Sequence, residues 1–390
     1  MLGLVRCHGS KHRRPGHGRR PLSTQGNTIT TLWSVTAEPA HDVSAFADQV
    51  QQTLDAFVDE QAIRLAALGP DATLLLDEAR IALSGGKRLR AAFCWWGHQA
   101  VAEPTDPAAL LRACAALEVL HASALVHDDY MDASDTRRGR PATHRAFAAH
   151  HRSLGLPGDP EQYGAATAIL LGDLLLTWAD ELLRRCGLPL ERVGPALDVF
   201  DLCRSEVVAG QFLDVSVQAR GKADVTTAMT VLRFKSAKYS IERPLHIGAA
   251  LAGATPEQLE ALTGYGLPLG EAFQLRDDQL GVFGDPAVTG KPAGDDLVEG
   301  KRTVLVAHTL AALESADHDR LDSALGTALT DAEVEELRGL IRDSGAAERV
   351  EELIDELTTT SLRALEEGPF RAEARGPLRQ LADAATRRTL

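Results

Sequence analysis

The chain has 390 residues, of which 25% are charged and 44% hydrophobic, with a formal net charge of −14. That length can bury a large core, and the ordinary composition excludes collagenous, low-complexity and disulfide-scaffold chains. The acidic balance argues against nucleic acid as a partner, and no apolar run reads as a transmembrane segment.

Residues 1–37 stand apart. They contain no acid and six bases, so the rest of the chain carries 35 bases against 55 acids. The segment is rich in Gly, Pro, Ser and Thr and has no helical periodicity. Residues 1–41 therefore read as a disordered basic extension rather than a targeting peptide, which would need an apolar stretch or an amphipathic basic helix. Residues 42–390 read as a single all-α domain. Val43, Phe46, Val50, Leu54 and Phe57 recur at three- and four-residue steps. Asp106-Pro107 is a helix start whose helix runs to about Met131, and Thr255-Pro256 is another. Val334, Leu337 and Ile341, then Val350, Leu353, Ile354 and Leu357, continue the pattern. Gly/Pro clusters at 155–160 and 284–294 mark loops. No strand is expected, and the fold class is a large helical bundle around a central cavity. The cysteines, Cys7, Cys94, Cys114, Cys186 and Cys203, show no metal-binding spacing; Cys94, Cys114 and Cys203 fall in apolar helical patterns. They read as thiols of a reducing compartment, which makes a cytoplasmic protein the expectation.

Two acidic clusters end apolar stretches: His127-Asp128-Asp129-Tyr130-Met131-Asp132 and Asp277-Asp278-Gln279-Leu280-Gly281. On a helix, Asp128 and Asp132 share a face. Adjacent carboxylates repel unless a proton or cation offsets them. Hard oxygen ligands suit Mg²⁺, which binds through one or two carboxylates plus substrate phosphates. Two such clusters over an apolar cavity suit a diphosphate head on a hydrocarbon tail.

Basic motifs surround the clusters. Gly85-Gly86-Lys87-Arg88-Leu89-Arg90 lets backbone and donors approach a phosphate, although alone it would read as a helix end with a solvated basic tail. Arg137-Arg138 suggests anion capture just past the first cluster. Lys235-Ser236 pairs an ammonium with a hydroxyl. Gly290-Lys291-Pro292 and Gly300-Lys301-Arg302 belong to a Gly-rich region with spaced lysines, usually only a surface turn.

Each motif is weak singly. Their order is specific: GGKRLR (85–90), HDDYMD (127–132), RRGRPATH (137–144), GD (172–173), GQFLD (210–214), KS (235–236), FQLRDD (273–278) and GKPAGDDLVEGKRT (290–303). Over about residues 42–365 the chain resembles the trans-type isoprenyl diphosphate synthases, or polyprenyl synthetases. The resemblance implies an all-α isoprenoid-synthase fold, a homodimer, Mg²⁺ as cofactor, and condensation of isopentenyl diphosphate with an allylic prenyl diphosphate. It implies that Asp128, Asp132 and Asp277 hold Mg²⁺, with Asp129 and Asp278 orienting bound waters or ligands. Arg137, Lys235, Lys291 and Lys301 would hold the allylic diphosphate. Lys87, Arg90, His121 and Arg138 would hold isopentenyl diphosphate. Ser236 and Gln274 would face the carbocation. His121 by itself would be a satisfied core histidine; its place in the family pattern shifts that reading. His98, His144 and His246 have no such support and read as structural, and Trp95, Trp96 and Trp178 as core.

Two departures stand out. Gly281 occupies the position where many members carry a third aspartate, and Ser236 replaces the commoner threonine. Two other classes fit parts of the pattern. A class I terpene cyclase needs only one diphosphate site, so dependence on isopentenyl diphosphate separates it. A non-catalytic subunit of a heteromeric synthase would be inactive alone. For product length, Ser123 and Ala124 lie about one turn below Asp128, roughly 6–7.5 Å along the helix. Both are small, so the cavity is expected to continue past them toward a floor of Leu120, Trp96 or Trp178. That expectation favours a C20 product, geranylgeranyl diphosphate, over C10, with C15 and longer products left open.

Overall fold

A computed structural model describes residues 43–222, 224–284 and 294–387. The basic extension, Cys7 and Lys291 lie outside these residues.

Five long helices come first: α1 (Val43–Leu65), α2 (Pro70–Leu83), α3 (Leu89–Val101), α4 (Pro107–Met131) and, after a short hairpin and α5 (Thr143–Ser153), α6 (Pro160–Arg184). Then follow α7 (Leu190–Arg220) and α8 (Val225–Leu232), which runs into a π-helical segment (Arg233–Glu242). After these come α9 (Arg243–Ala252), α10 (Pro256–Phe283), the one-turn α11 (Asp295–Val298), α12 (Val304–Ala312), α13 (Ser315–Ala324), α14 (Asp331–Asp343), α15 (Ala346–Glu367) and α16 (Ala372–Thr386).

The expected helix starts are present with their caps. The Asp106 carboxylate accepts from the Ala109 N–H at 3.0 Å, and α4 ends at Met131. Thr255 and Gln258 form a reciprocal capping box at the head of α10.

Helix α4 is the axis of the core. Leu110 and Ala113 through Leu120 are all buried, on every side of the helix. A helix that is apolar all round belongs inside. Its alanines let α3 and α6 approach closely, and α9 packs on the far side of α3. By length and composition α4 would suffice to cross a membrane, contrary to the sequence expectation that no stretch would. Here it is a core helix, and its one acid before Asp128, Glu118, is buried beside Arg88 at 3.4 Å. Helices α7 and α10 flank the π segment, and α10 also packs along α15.

A two-stranded hairpin, Thr136–Arg137 with Arg140–Pro141, departs from the strand-free expectation. Arg138 (φ 52°) and Gly139 (φ 72°) form its turn, both left-handed, as a tight two-residue hairpin demands. This turn follows α4 directly and carries the two arginines.

Candidate active site

The helices enclose a cavity of about 1410 Å³. Of the residues singled out in the sequence, Lys87, Arg90, His121, Ser123, Ala124, Asp128, Arg137, Arg138, Lys235, Ser236, Gln274, Asp277, Asp278 and Lys301 line it. Asp129 and Asp132 stand just behind the wall.

The first cluster sits where α4 runs out. The Asp132 N–H donates to the Asp128 carbonyl at 2.8 Å, so the two carboxylates remain one turn apart. Gln211 of α7 donates to Asp128 Oδ1 at 3.0 Å. Lys235 Nζ lies 3.5 Å from Asp128 and donates to Asp214 Oδ2 at 2.6 Å. Lys301 Nζ reaches Asp132 at 3.4 Å, Asp296 at 3.5 Å and Glu299 at 2.5 Å. Burial works against ionisation of Asp128, but Lys235, Lys301 and Arg137 together hold its carboxyl below the usual range. Burial and the Asp128 charge push Asp132 up to about 6. Burial disfavours the charged form of Lys235 and Lys301 as well, yet the surrounding carboxylates raise both above an ordinary lysine. Both lysines are therefore cations near neutral pH.

Asp129 is paired with an arginine of the cavity wall. Its carboxylate is buried and accepts from Arg137 Nε at 2.8 Å and from a terminal nitrogen of the same guanidinium. It positions an arginine of the cavity wall. Such a charge-assisted fork fixes direction as well as distance.

The second cluster lies at the end of α10. Gln274 donates to Asp278 Oδ1 at 2.8 Å, one turn on. Burial, then the charge of Asp296, raises the Asp278 carboxyl well above its ordinary value. Gly281 has a local reason to lack a side chain. A Cβ there would stand 2.0 Å from the Asp296 Oδ2 atom. Asp296 reaches into the place of the missing third aspartate.

Lys87, Arg88 and Arg90 of the GGKRLR motif all line the cavity, and Arg88 is the buried one. Arg88, with left-handed φ of 53°, turns inward to Glu118 and to the Leu83 carbonyl at 2.6 Å. Lys87 and Arg90 face the cavity. Arg90 donates to the Tyr239 hydroxyl at 2.7 Å and Ser240 Oγ at 2.8 Å, and the same Tyr239 hydroxyl lies 2.8 Å from His121 Nδ1. Burial and the surrounding arginines hold His121 well below the ordinary histidine pKa. It is a neutral hydrogen-bonding group. Arg138 Nη1 donates to the Ser84 carbonyl at 2.5 Å, which ties the hairpin to the glycine turn.

Four lining residues come from the π segment: Lys235, Ser236, Tyr239 and Ser240. π-Helical turns are rare and often functional. Here the segment crosses α7 so closely that a Cβ at Gly210 would stand 2.4 Å from the Lys235 backbone nitrogen. Gln211 and Asp214 follow that contact point. Both lie in the GQFLD motif, to which the sequence by itself gives no role. Their three-residue spacing before a basic helix was the available signal. Tyr239, one turn past Lys235, gave a weaker one.

Below the clusters the wall turns apolar, with Leu120, Leu125, Leu176 and Val207. Ser123 is buried and spends its hydroxyl on the Gly172 carbonyl at 2.8 Å. Leu120 lines the cavity as expected, but Trp96 and Trp178 do not. They are buried elsewhere in the core, where Trp178 meets Phe57 edge-on. His98, His144 and His246 stay outside the cavity lining.

The donor set fits Mg²⁺. Asp128 and Asp132 face each other across one turn with an unfavourable mutual charge, and Asp277 and Asp278 face the same cavity. Among the described residues no three acidic, histidine or cysteine side chains converge tightly enough to bind an ion unaided. An ion that completes its shell with phosphate oxygens needs no such cage.

The polyprenyl synthetase family model matches residues 73–341. A geranylfarnesyl diphosphate synthase from Natronomonas pharaonis is 34% identical over 316 residues, covering 77% of this chain and 85% of that one. A geranylgeranyl diphosphate synthase from Methanosarcina mazei is 35% identical, covering 57% and 63%. Among solved structures, geranylgeranyl pyrophosphate synthase from Corynebacterium glutamicum, complexed with isoprenyl diphosphate and magnesium, superposes with a TM-score of 0.87. It is 41% identical and covers 89% of this chain and all of that one. With motifs, helical architecture and cavity in agreement, this chain belongs to the polyprenyl synthetase family.

Proposed function

We propose that the chain is a Mg²⁺-dependent prenyltransferase that condenses isopentenyl diphosphate with allylic diphosphates and releases geranylgeranyl diphosphate. One observation carries the reading: two carboxylate clusters and two sets of cations border a single cavity whose deeper wall is apolar. A cyclase would have no use for the second cationic set, Lys87, Arg90 and Arg138.

Asp128, Asp132 and Asp277 would hold Mg²⁺, whose charge stabilises a departing diphosphate. Lys235, Lys301 and Arg137 add fixed positive charge on the same side. Being preorganised in a partly buried site, they stabilise developing anionic oxygens without reorganising. The allylic C–O bond breaks and its electron pair leaves with the diphosphate. Lys87, Arg90 and Arg138 hold isopentenyl diphosphate, with neutral His121 as a hydrogen-bonding partner, so that its double bond attacks the allylic carbon. Ser236 and Gln274 turn oxygen dipoles toward the cation. Loss of a proton to the released diphosphate completes the product, and no protein base is required. The apolar wall excludes water, which would capture the cation.

The active form is a homodimer in the cytoplasm. Leu170 of α6 and Val208 and Phe212 of α7 are 63%, 62% and 73% exposed, an apolar face suited to a second copy. Four buried free thiols suit a reducing compartment.

The test is incubation of the purified chain with Mg²⁺, isopentenyl diphosphate and each allylic primer, with products resolved by mass. A C20 product from farnesyl diphosphate is expected, and Ser123→Phe, which fills the turn below Asp128, shifts it toward C15 and C10. Products formed without isopentenyl diphosphate would identify a cyclase instead. An inactive chain would identify a subunit.

A further inference from the structure

Tyr239 touches both Arg90 and His121, two groups placed on the isopentenyl diphosphate side of the cavity. It is buried in the cavity wall, on the π segment. Arg90 Nη2 donates to the Tyr239 hydroxyl at 2.7 Å and to Ser240 Oγ at 2.8 Å, and the Arg90 guanidinium lies 4.3 Å from the centre of the Tyr239 ring. The same hydroxyl lies 2.8 Å from His121 Nδ1. Helix α3, helix α4 and the π segment therefore meet at one oxygen.

The direction of each bond follows from the protons available. A guanidinium only donates, so the hydroxyl oxygen accepts from Arg90. The phenol carries a single proton, and among the described residues His121 Nδ1 is the acceptor within its reach. If Nδ1 were the protonated nitrogen, the phenol proton would be buried without a partner, which costs more than a hydrogen bond returns. Burial and the nearby arginines keep the imidazole neutral. A neutral ring whose Nδ1 accepts carries its proton on Nε2. Nε2 has no protein partner among the described residues, and His121 lines the cavity. Arg90 likewise spends both protons of Nη2 on Tyr239 and Ser240, which leaves Nη1 without a protein partner among the described residues.

We infer that Tyr239 is a positioning residue for isopentenyl diphosphate: its hydroxyl fixes His121 as the Nε2–H tautomer and holds the Arg90 guanidinium beside it. This inference rests on the prenyltransferase reading. Ionised diphosphate oxygens are acceptors, so an Nε2–H group binds them and an Nε2 lone pair would repel them. The tyrosine turns a neutral ring into a directed donor. It does so without adding charge to a wall that already carries Lys87, Arg88, Arg90 and Arg138.

Tyr239→Phe removes the hydroxyl and keeps the ring on which Arg90 stacks. The full chain is labelled with ¹⁵N-histidine and the His121 tautomer is read from its ring-nitrogen shifts, with the signal assigned by its loss in His121→Gln. Wild type is expected to show a protonated Nε2 and a hydrogen-bonded, unprotonated Nδ1. In Tyr239→Phe the Nδ1 signal should move to that of an imidazole nitrogen without a donor. With Mg²⁺ and farnesyl diphosphate saturating, Tyr239→Phe should raise KM for isopentenyl diphosphate by about tenfold, the scale of one charge-assisted hydrogen bond, and lower kcat by a smaller factor. Ser240→Ala, which removes the other Arg90 acceptor, should raise the same KM less and leave the His121 spectrum as in wild type. Thermal melting checks that each variant folds; should Tyr239→Phe not fold, the wild-type spectrum alone decides the tautomer. A wild-type His121 protonated on Nδ1, or a folded Tyr239→Phe enzyme with the wild-type KM for isopentenyl diphosphate, would overturn this role while leaving the prenyltransferase reading intact. A wild-type chain that incorporates no isopentenyl diphosphate would overturn that reading, and the role of Tyr239 with it.

Discussion

The two aspartate clusters look alike in sequence and are built differently. The first straddles the end of α4, where the helix frays into the turn that leads to the hairpin. Its carboxylates are matched by Lys235, Lys301 and Arg137, each from a different segment. The second lies wholly inside α10, and its inner member Asp278 receives a helical neighbour's amide and the repulsion of Asp296. The first cluster is matched by cations from three segments, whereas the inner member of the second is buried beside the charge of Asp296. Gly281 belongs to that contrast. The first cluster keeps its third aspartate, whereas the second gives its place to a carboxylate from α11.

The comparison breaks most directly at its outer carboxylates. Asp128→Ala and Asp277→Ala should each lower kcat by about 100-fold or more, the scale of losing one element of preorganised charge stabilisation. Steady-state turnover with saturating Mg²⁺ checks this, and near-wild-type rates in both variants would remove the clusters from catalysis.

A tenfold scale of effect is expected from the cations. Lys87→Ala and Arg90→Ala should raise KM for isopentenyl diphosphate by about tenfold, near the value of one charge-assisted hydrogen bond. Lys301→Ala, at the hinge between the clusters, should raise KM for the allylic substrate instead. A reversed pattern would show that the two cationic sets have been assigned to the wrong substrates.

Gly281→Asp sharpens the contrast within the second cluster. It restores a third aspartate but collides with Asp296, so turnover and the apparent affinity for Mg²⁺ should fall by a few-fold, in line with about 1 kcal/mol of local strain and repulsion. Adding Asp296→Gly should recover part of the loss. Higher turnover in the single variant would mean that Gly281 is a deficiency rather than an accommodation.

The smallest effect is expected at the N-terminus. A chain starting at Glu38 removes the acid-free basic residues 1–37 and leaves both clusters untouched. Its activity and melting temperature should match the full chain within error, and a large drop in either would tie the extension to the domain.

Sequence alone determined the helical class, the caps at Asp106 and Thr255, and the identity of the two clusters. These are local facts. Helical period, capping chemistry and motif order are all written over a few adjacent residues, and the family resemblance supplied roles for the charged ones. Only the tertiary structure decided which charges meet. Asp129 turned to Arg137 and away from the cavity, because a hairpin eight residues on returns the guanidinium to it. Arg88, at a left-handed backbone position, is buried against Glu118, while its neighbours Lys87 and Arg90 are more open to the cavity that all three line. Gln211 meets Asp128 of α4, Asp214 meets Lys235 of the π segment, and Tyr239 meets Arg90 of α3 and His121 of α4, each across distant segments. Trp96 and Trp178, which size suggested for the floor, are buried elsewhere in the core, while Leu120 lines the cavity. Contacts between distant segments depend on how helices cross, and helix crossing is fixed by the packing of whole faces, which no short stretch of sequence encodes.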